Sequence, residues 1–167
     1  MAPESYTLNY EHIGMLLMVV ERFNGPDLVN VAELLENFSS LDTLIGIPLK
    51  PDLVPQLVMA QDLPIDTATA LFSALALGAV LSGETYYGRF CFDVSTTLSN
   101  RGVSLPSFDL CLAYFLYHWY LLRAGTSTQA RKTVAQTVQT CRDLALHKAS
   151  CGVRGFHLYL LVYLTDQ

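Results

Sequence analysis

Between Cys111 and Leu122 the chain reads CLAYFLYHWYLL, eleven apolar or aromatic residues and one histidine. A helix with this content has almost no face to give to water. At 3.6 residues per turn, Phe108, Leu112, Phe115, Trp119 and Leu122 fall on one face, and Leu110, Tyr114, Tyr117 and Leu121 fall on the opposite side. Cys111 and His118 lie between these stripes, two turns apart. Only the strip of Asp109, Ala113 and Tyr120 is left for solvent. Such a helix needs neighbours on two sides, so the expected fold is all-α, with antiparallel helix pairs stacked in layers and the 110–122 helix central.

The rest of the chain repeats the helical period. Tyr10–Phe23 is apolar up to Glu21 and Arg22 and stops at Asn24-Gly25-Pro26, a stop-start signal. Asp27–Phe38 gives a second helix, acidic outward at Glu33 and Glu36. Residues 39–64 hold Gly46, Pro48, Pro51, Pro55 and Pro64, so a packed-down loop with short helical turns is expected there. Asp66 or Thr67 caps a small-residue helix running to about Leu81 and closing at Ser82-Gly83. In the helix over Glu84–Leu98, Tyr87, Cys91, Val94 and Leu98 share a face with Phe90 at its edge, Arg89 and Asp93 form an outward i,i+4 pair, and Asn100-Arg101-Gly102 ends the helix. Pro106-Ser107 opens the central helix and Gly125 closes it. Ser127–Leu146 is an outer helix, with Ala130, Val134, Val138, Cys141 and Ala145 inward and Lys132, Gln136, Gln139 and Asp143 outward. Phe156–Leu164 is a last apolar helix, three residues from Gln167, that calls for cover from outside the chain.

Length and composition bound the function. A chain of 167 residues is one domain, 1–167, with 39–64 loop-rich. It is 51% hydrophobic and only 15% charged, which excludes disorder and leaves apolar surface to bury against a protein partner or a second copy. Residues 1–66 carry ten acids against Arg22 and Lys50, and residues 67–167 carry eight bases against five acids. No basic block or arginine-rich helix appears, so direct nucleic-acid binding is not expected. Ile65–Ser82 is interrupted by Asp66, Thr67, Thr69 and Ser73, and Leu110–Leu122 is too short to span a bilayer, so no membrane segment is expected. The first residues lack a basic start and an apolar run, which points to an intracellular protein, nuclear or cytoplasmic, with reduced thiols at Cys91, Cys111, Cys141 and Cys151.

No phosphate loop, serine elbow or carboxylate pair is present, so the sequence names no reaction, cofactor or catalytic residue. Cys141, His147, Cys151 and His157 are spaced more widely than zinc ligands usually are, and no metal is expected. Cys111 and His118, seven residues apart on one helix, are about 10 Å apart and cannot form a nucleophilic dyad. His118 has no carboxylate at i±3 or i±4 and reads as a neutral core histidine bonded to a neighbouring helix. Beside it, Cys111, Tyr114, Tyr117, His118 and Trp119 are the candidate lining of a ligand pocket, because buried tyrosine hydroxyls need partners.

Four segments in order carry a resemblance: LFSALALGAVLSGETYYGRF (Leu71–Phe90), LAYFLYHWYLLRAG (Leu112–Gly125), CRDLALHK (Cys141–Lys148) and VRGFHLYLLVYLTDQ (Val153–Gln167), with Tyr163 and Asp166 in place. From Leu71 to Asp166 the chain resembles the middle homology region of fungal-specific transcription factors, which join a six-cysteine zinc cluster to a large helical regulatory domain. Residues 66–166 would then be the family-like core, and the chain about half of the family's full domain. Ala145 stands where that family has Gly, Leu160 where it has Trp, and its arginine run is reduced to Arg154 and His157. No Cys-x2-Cys-x6-Cys spacing exists, so the resemblance implies regulation through protein contacts, without a DNA-reading module, with a small apolar metabolite as the ligand to look for. Two alternatives stand beside it: a secondary-metabolism protein that binds, cyclises or isomerises a hydrophobic natural product, and a dimerising interaction module.

Overall fold

The computed structural model describes residues 6–9, 11–22, 31–41, 48–50, 53–61, 63–101, 107–124 and 127–144. Among these residues seven helices pack in layers: α1 (His12–Arg22), α2 (Val31–Ser39), α3 (Val54–Ala60), α4 (Ile65–Leu81), α5 (Thr85–Arg101), α6 (Phe108–Arg123) and α7 (Ser127–Asp143). The fold is all-α, as the periodicity requires. The one addition is a scrap of antiparallel sheet, β1 (Tyr6–Thr7) with β2 (Pro48–Leu49), in which Tyr6 faces Leu49. It falls partly within the expected loop, as does the two-turn α3, which has Pro55 in its first turn, where a missing N–H costs nothing. The expected helix over Phe156–Leu164, the start of the helix expected from Asp27 and the turn at Gly125 lie outside the described residues.

The centre of the layers is α4, not α6. Positions 68–79 of α4 are buried without interruption, and α4 packs against α1, α2, α3, α5 and α6. The physical reason is side-chain size. Ala, Gly, Ser and Thr let neighbouring backbones come close on every side, whereas the aromatic residues of α6 hold neighbours off. At Gly78 this becomes a requirement, since a Cβ there would lie 2.2 Å from the carbonyl oxygen of Met15 on α1. Gly83 then turns the chain from α4 into α5 with φ +84°, a conformation that favours glycine.

Hydrogen bonds fix the directions of the helices. Cys111 meets Cys141 and His118 meets Ala130, in opposite order along α6 and α7, so these two are antiparallel. On α4 and α5, Ser73 meets Ser95, while a Cβ at Gly88 would meet Ala76 and Val80, which again runs in opposite order. The two hairpins stack with α4 and α6 parallel. Their N-termini are tied by Ser107 Oγ donating to Asp66 Oδ2 (2.8 Å) and Thr67 Oγ1 donating to Asp109 Oδ2 (2.9 Å). Asp66 and Thr67 were expected to cap α4. Instead Pro64 takes the cap position, and both side chains serve this cross-helix tie. Ser107 does cap α6, accepting from the Leu110 N–H at 3.1 Å.

On α6 both flanks are covered: Phe115 is 2% and Tyr117 5% exposed. The strip expected to be wet is not. Ala113 is fully buried, Tyr120 is buried with its ring stacked on Phe92 at 4.6 Å, and Asp109 is half-buried. Leu122, expected inside, is exposed, because it sits in the last turn. On α5, Tyr87, Phe90, Cys91, Val94 and Leu98 are buried and Arg89 and Asp93 face outward, as their spacing requires. Of the stripe expected on α7, Ala130, Val134 and Cys141 are buried and Val138 half-buried; Ala145 lies outside the described residues. Thr137 and Thr140 join the buried set by donating to the carbonyls of Thr133 and Gln136 one turn back. None of the helices among the described residues is long and apolar enough to cross a membrane.

Candidate functional site

A cleft of about 450 Å³ opens where α5, α6 and α7 meet. From α6 come Tyr114, Tyr117 and Leu121. From α5 come Phe92, Thr96, Ser99 and Asn100, and from α7 come Gln129, Lys132, Thr133 and Gln136. The division of chemistry follows from the helices. The greasy face of α6 and Phe92 provide aromatic and apolar wall, while the outward edges of α5 and α7 provide hydroxyls, amides and one ammonium. Among the described residues no carboxylate lines this cleft. A second hollow of about 420 Å³ shares Phe92, Leu121 and Gln129 with it and adds Thr85, Arg89, Asp93, Tyr120 and Ala124. Together they make a groove along the α5–α6 seam. In the second hollow partial burial raises the pKa of the outward-facing Asp93, against the opposing pull of Arg89.

Beneath the cleft lies a buried chain of hydroxyls. Ser73 Oγ and Ser95 Oγ are 2.9 Å apart, and both donate to the carbonyl of Thr69, at 2.7 and 2.8 Å. Since the Ser95 proton is committed there, the Tyr117 hydroxyl donates to Ser95 Oγ. Tyr117 thus turns its polar end into the core and offers the cleft its ring, edge-on to Phe92 at 5.2 Å and tilted to Tyr114 at 6.0 Å. Burial pushes its phenol up to about 12, against the opposing pull of Ser95, Ser73 and Ser99. Tyr114, half-buried, also has its phenol raised, first by burial and then by the charge of Asp66. Both phenols are neutral donors at physiological pH.

The five residues singled out from the sequence do not converge on one pocket. Tyr114 and Tyr117 line the cleft. Cys111 and His118 face the α6–α7 seam instead. His118 Nδ1 donates to the carbonyl of Ala130 at 3.1 Å, the bond to a neighbouring helix that its surroundings suggested, and burial lowers its pKa while that bond raises it. Cys111 Sγ lies 3.3 Å from Cys141 Sγ and 3.9 Å from the Thr137 carbonyl oxygen. Trp119 turns toward α1, with the Arg22 guanidinium 5.6 Å above its ring and Phe115 edge-on at 6.4 Å.

Sequence reasoning missed the α5 and α7 walls of the cleft. A signal existed: Thr96, Ser99 and Asn100 occupy the side of α5 away from the Cys91–Val94–Leu98 stripe, and short polar side chains there leave room. Ser73, a hydroxyl deep in an apolar helix, likewise announced a buried partner. Among the described residues no three His, Cys, Asp or Glu side chains converge. Of the Cys141, His147, Cys151, His157 series only Cys141 is among them. No protein-family model, no curated protein and no solved structure matches this chain.

Proposed function

We propose that this chain is a ligand-responsive regulatory module of the kind its sequence resembles, a transcription-factor-like helical domain. It works inside the cell, in nucleus or cytoplasm, and acts through protein contacts. The observation that carries the reading is the α5–α6–α7 cleft. Its walls of Phe92, Tyr114, Tyr117 and Leu121 suit an apolar or aromatic frame, and its rim of Thr96, Ser99, Asn100, Gln129, Thr133 and Gln136 suits a few hydroxyl or carbonyl groups on it. Lys132, with no carboxylate beside it among the described lining residues, suits an acidic substituent. Binding across three helices would tie α7 to α5, and a partner that reads the α7 surface would sense it.

The probe for this reading is 1-anilinonaphthalene-8-sulfonate, an aromatic frame with one anion. One saturable site is expected by its emission, and it is lost in Thr133→Trp, which fills the cleft from its half-buried wall, while helical circular dichroism is kept. Fused to a heterologous DNA-binding domain, the chain should change reporter expression, and Thr133→Trp should alter that change. Absence of saturable binding, or binding untouched by Thr133→Trp, would sink the cleft reading. A reporter indifferent to the chain would sink the regulatory one.

A second reading, a dimerising interaction module, is favoured by the exposed apolar side chains Leu17, Met18, Leu53, Met59, Tyr86 and Leu122. It expects a concentration-dependent mass in sedimentation that Leu17→Lys reduces.

A further inference from the structure

Two thiols face each other across the seam between α6 and α7. Cys111 Sγ and Cys141 Sγ are 3.3 Å apart, both side chains are buried, and both are free. A disulfide bond is about 2.05 Å long, so the sulfurs stand within roughly 1.2 Å of bonding distance. The residues are 30 apart in sequence and lie on adjacent antiparallel helices. Cys91, the other described cysteine, is buried on α5 beside Tyr87, with neither of the other described thiols in contact, and burial raises its pKa far above the usual thiol range. No third His, Cys, Asp or Glu side chain joins the pair among the described residues to make a metal set.

We propose that Cys111 and Cys141 form a reversible disulfide under peroxide, locking α7 onto α6. The two thiols are unequal. Their mutual hydrogen bond lowers the pKa of Cys141 and, together with burial, raises that of Cys111. Cys141 is also two residues from the end of α7, where a helix opens most readily. Cys141 is therefore the attacking thiolate. Its sulfur takes one oxygen from hydrogen peroxide as the O–O bond breaks, giving a sulfenic acid and, with one proton, water. The Cys111 sulfur then attacks the Cys141 sulfur and loses its proton, and the sulfenic oxygen leaves as a second water. Two thiols lose two electrons and two protons, and one peroxide becomes two waters. A dithiol reductant reverses the bond.

The lock has a structural consequence. α7 contributes Gln129, Lys132, Thr133 and Gln136 to the cleft, and α6 contributes Tyr114, Tyr117 and Leu121. The disulfide would fix one wall relative to the other, whatever the cleft binds. It stands on the geometry of the two thiols and their helices, and survives failure of the cleft reading.

The test uses the full chain, reduced, freed of reductant and treated with hydrogen peroxide, both with the wild-type sequence and in a Cys151→Ser background. Non-reducing peptide mapping should show a Cys111–Cys141 linked pair as the main product, with Cys91 unmodified. The melting temperature should rise by roughly 5–10 °C and return with dithiothreitol. In Cys141→Ser and Cys111→Ala, each compared with its own untreated form, peroxide should give neither the linked pair nor the rise. The proposal is overturned if Cys141 oxidises to sulfinic acid without a cross-link, if Cys91 or Cys151 pairs in preference, or if the linked pair forms but does not raise the melting temperature.

Discussion

Single residues set the tolerances of this molecule, and Gly78 is the tightest of them. Its missing side chain lets α1 lie on α4, and any Cβ would strike the backbone of Met15 rather than a side chain that could turn away. Gly78→Ala should therefore cost about 3 kcal/mol in urea unfolding, although alanine favours helices in general. The buried imidazoles set a pH response. His12 Nδ1 accepts from the Asn9 N–H at 3.2 Å and from the Tyr87 hydroxyl at 3.1 Å, so its ring is neutral, and burial lowers its pKa. His118 is lowered for the same reason. The folded chain thus binds fewer protons than the unfolded one just below the ordinary histidine pKa of about 6.5. Stability is fully present above that value and declines as pH falls from it toward the folded values. Urea midpoints at successive pH values should show this decline, and His12→Gln with His118→Gln should flatten it. At this scale the sequence was partly legible. His118 read correctly as a core histidine, but nothing pointed to His12, because Tyr87, which covers its ring and bonds its Nδ1, lies 75 residues away in sequence.

Helix boundaries were legible to within a few residues because periodicity and punctuation act locally. Ser107 illustrates it, a serine before an apolar run whose hydroxyl meets the third N–H along. That hydroxyl also donates to Asp66 on α4. Ser107→Ala should cost about 1–2 kcal/mol by thermal or urea unfolding, more than an isolated cap of the same type, since both bonds go. An accompanying Asp66→Asn should show non-additivity in a double-mutant cycle. What local reading could not give was which polar residue would cap and which would tie. Asp66 and Thr67 have the composition of caps, and only the parallel placement of α6 beside α4 redirects them. The wet strip on α6 failed for a related reason. Tyr120 and Ala113 look outward on an isolated helix, but Phe92 of α5 covers Tyr120.

Over the whole molecule one buried cluster reaches every described helix, from Leu8 before α1 to Cys141 on α7. Layers that share a core have no independent unfolding unit, so circular dichroism and Trp119 fluorescence should report one coincident transition in urea. Two transitions would mean that the α6–α7 hairpin, which carries Trp119, unfolds separately. The alternation of small, aromatic and amphipathic helices was enough to establish an all-α, layered fold, two covered flanks on α6 and an outer α7, because helix period and side-chain burial are written along the chain itself. Which helix took the centre, where the five candidate residues parted company, and that a cleft and a pair of facing thiols lie on either side of α6 came only with the tertiary structure. Those outcomes depend on distances between segments far apart in sequence, and such distances are set by how closely backbones approach, which no single segment encodes.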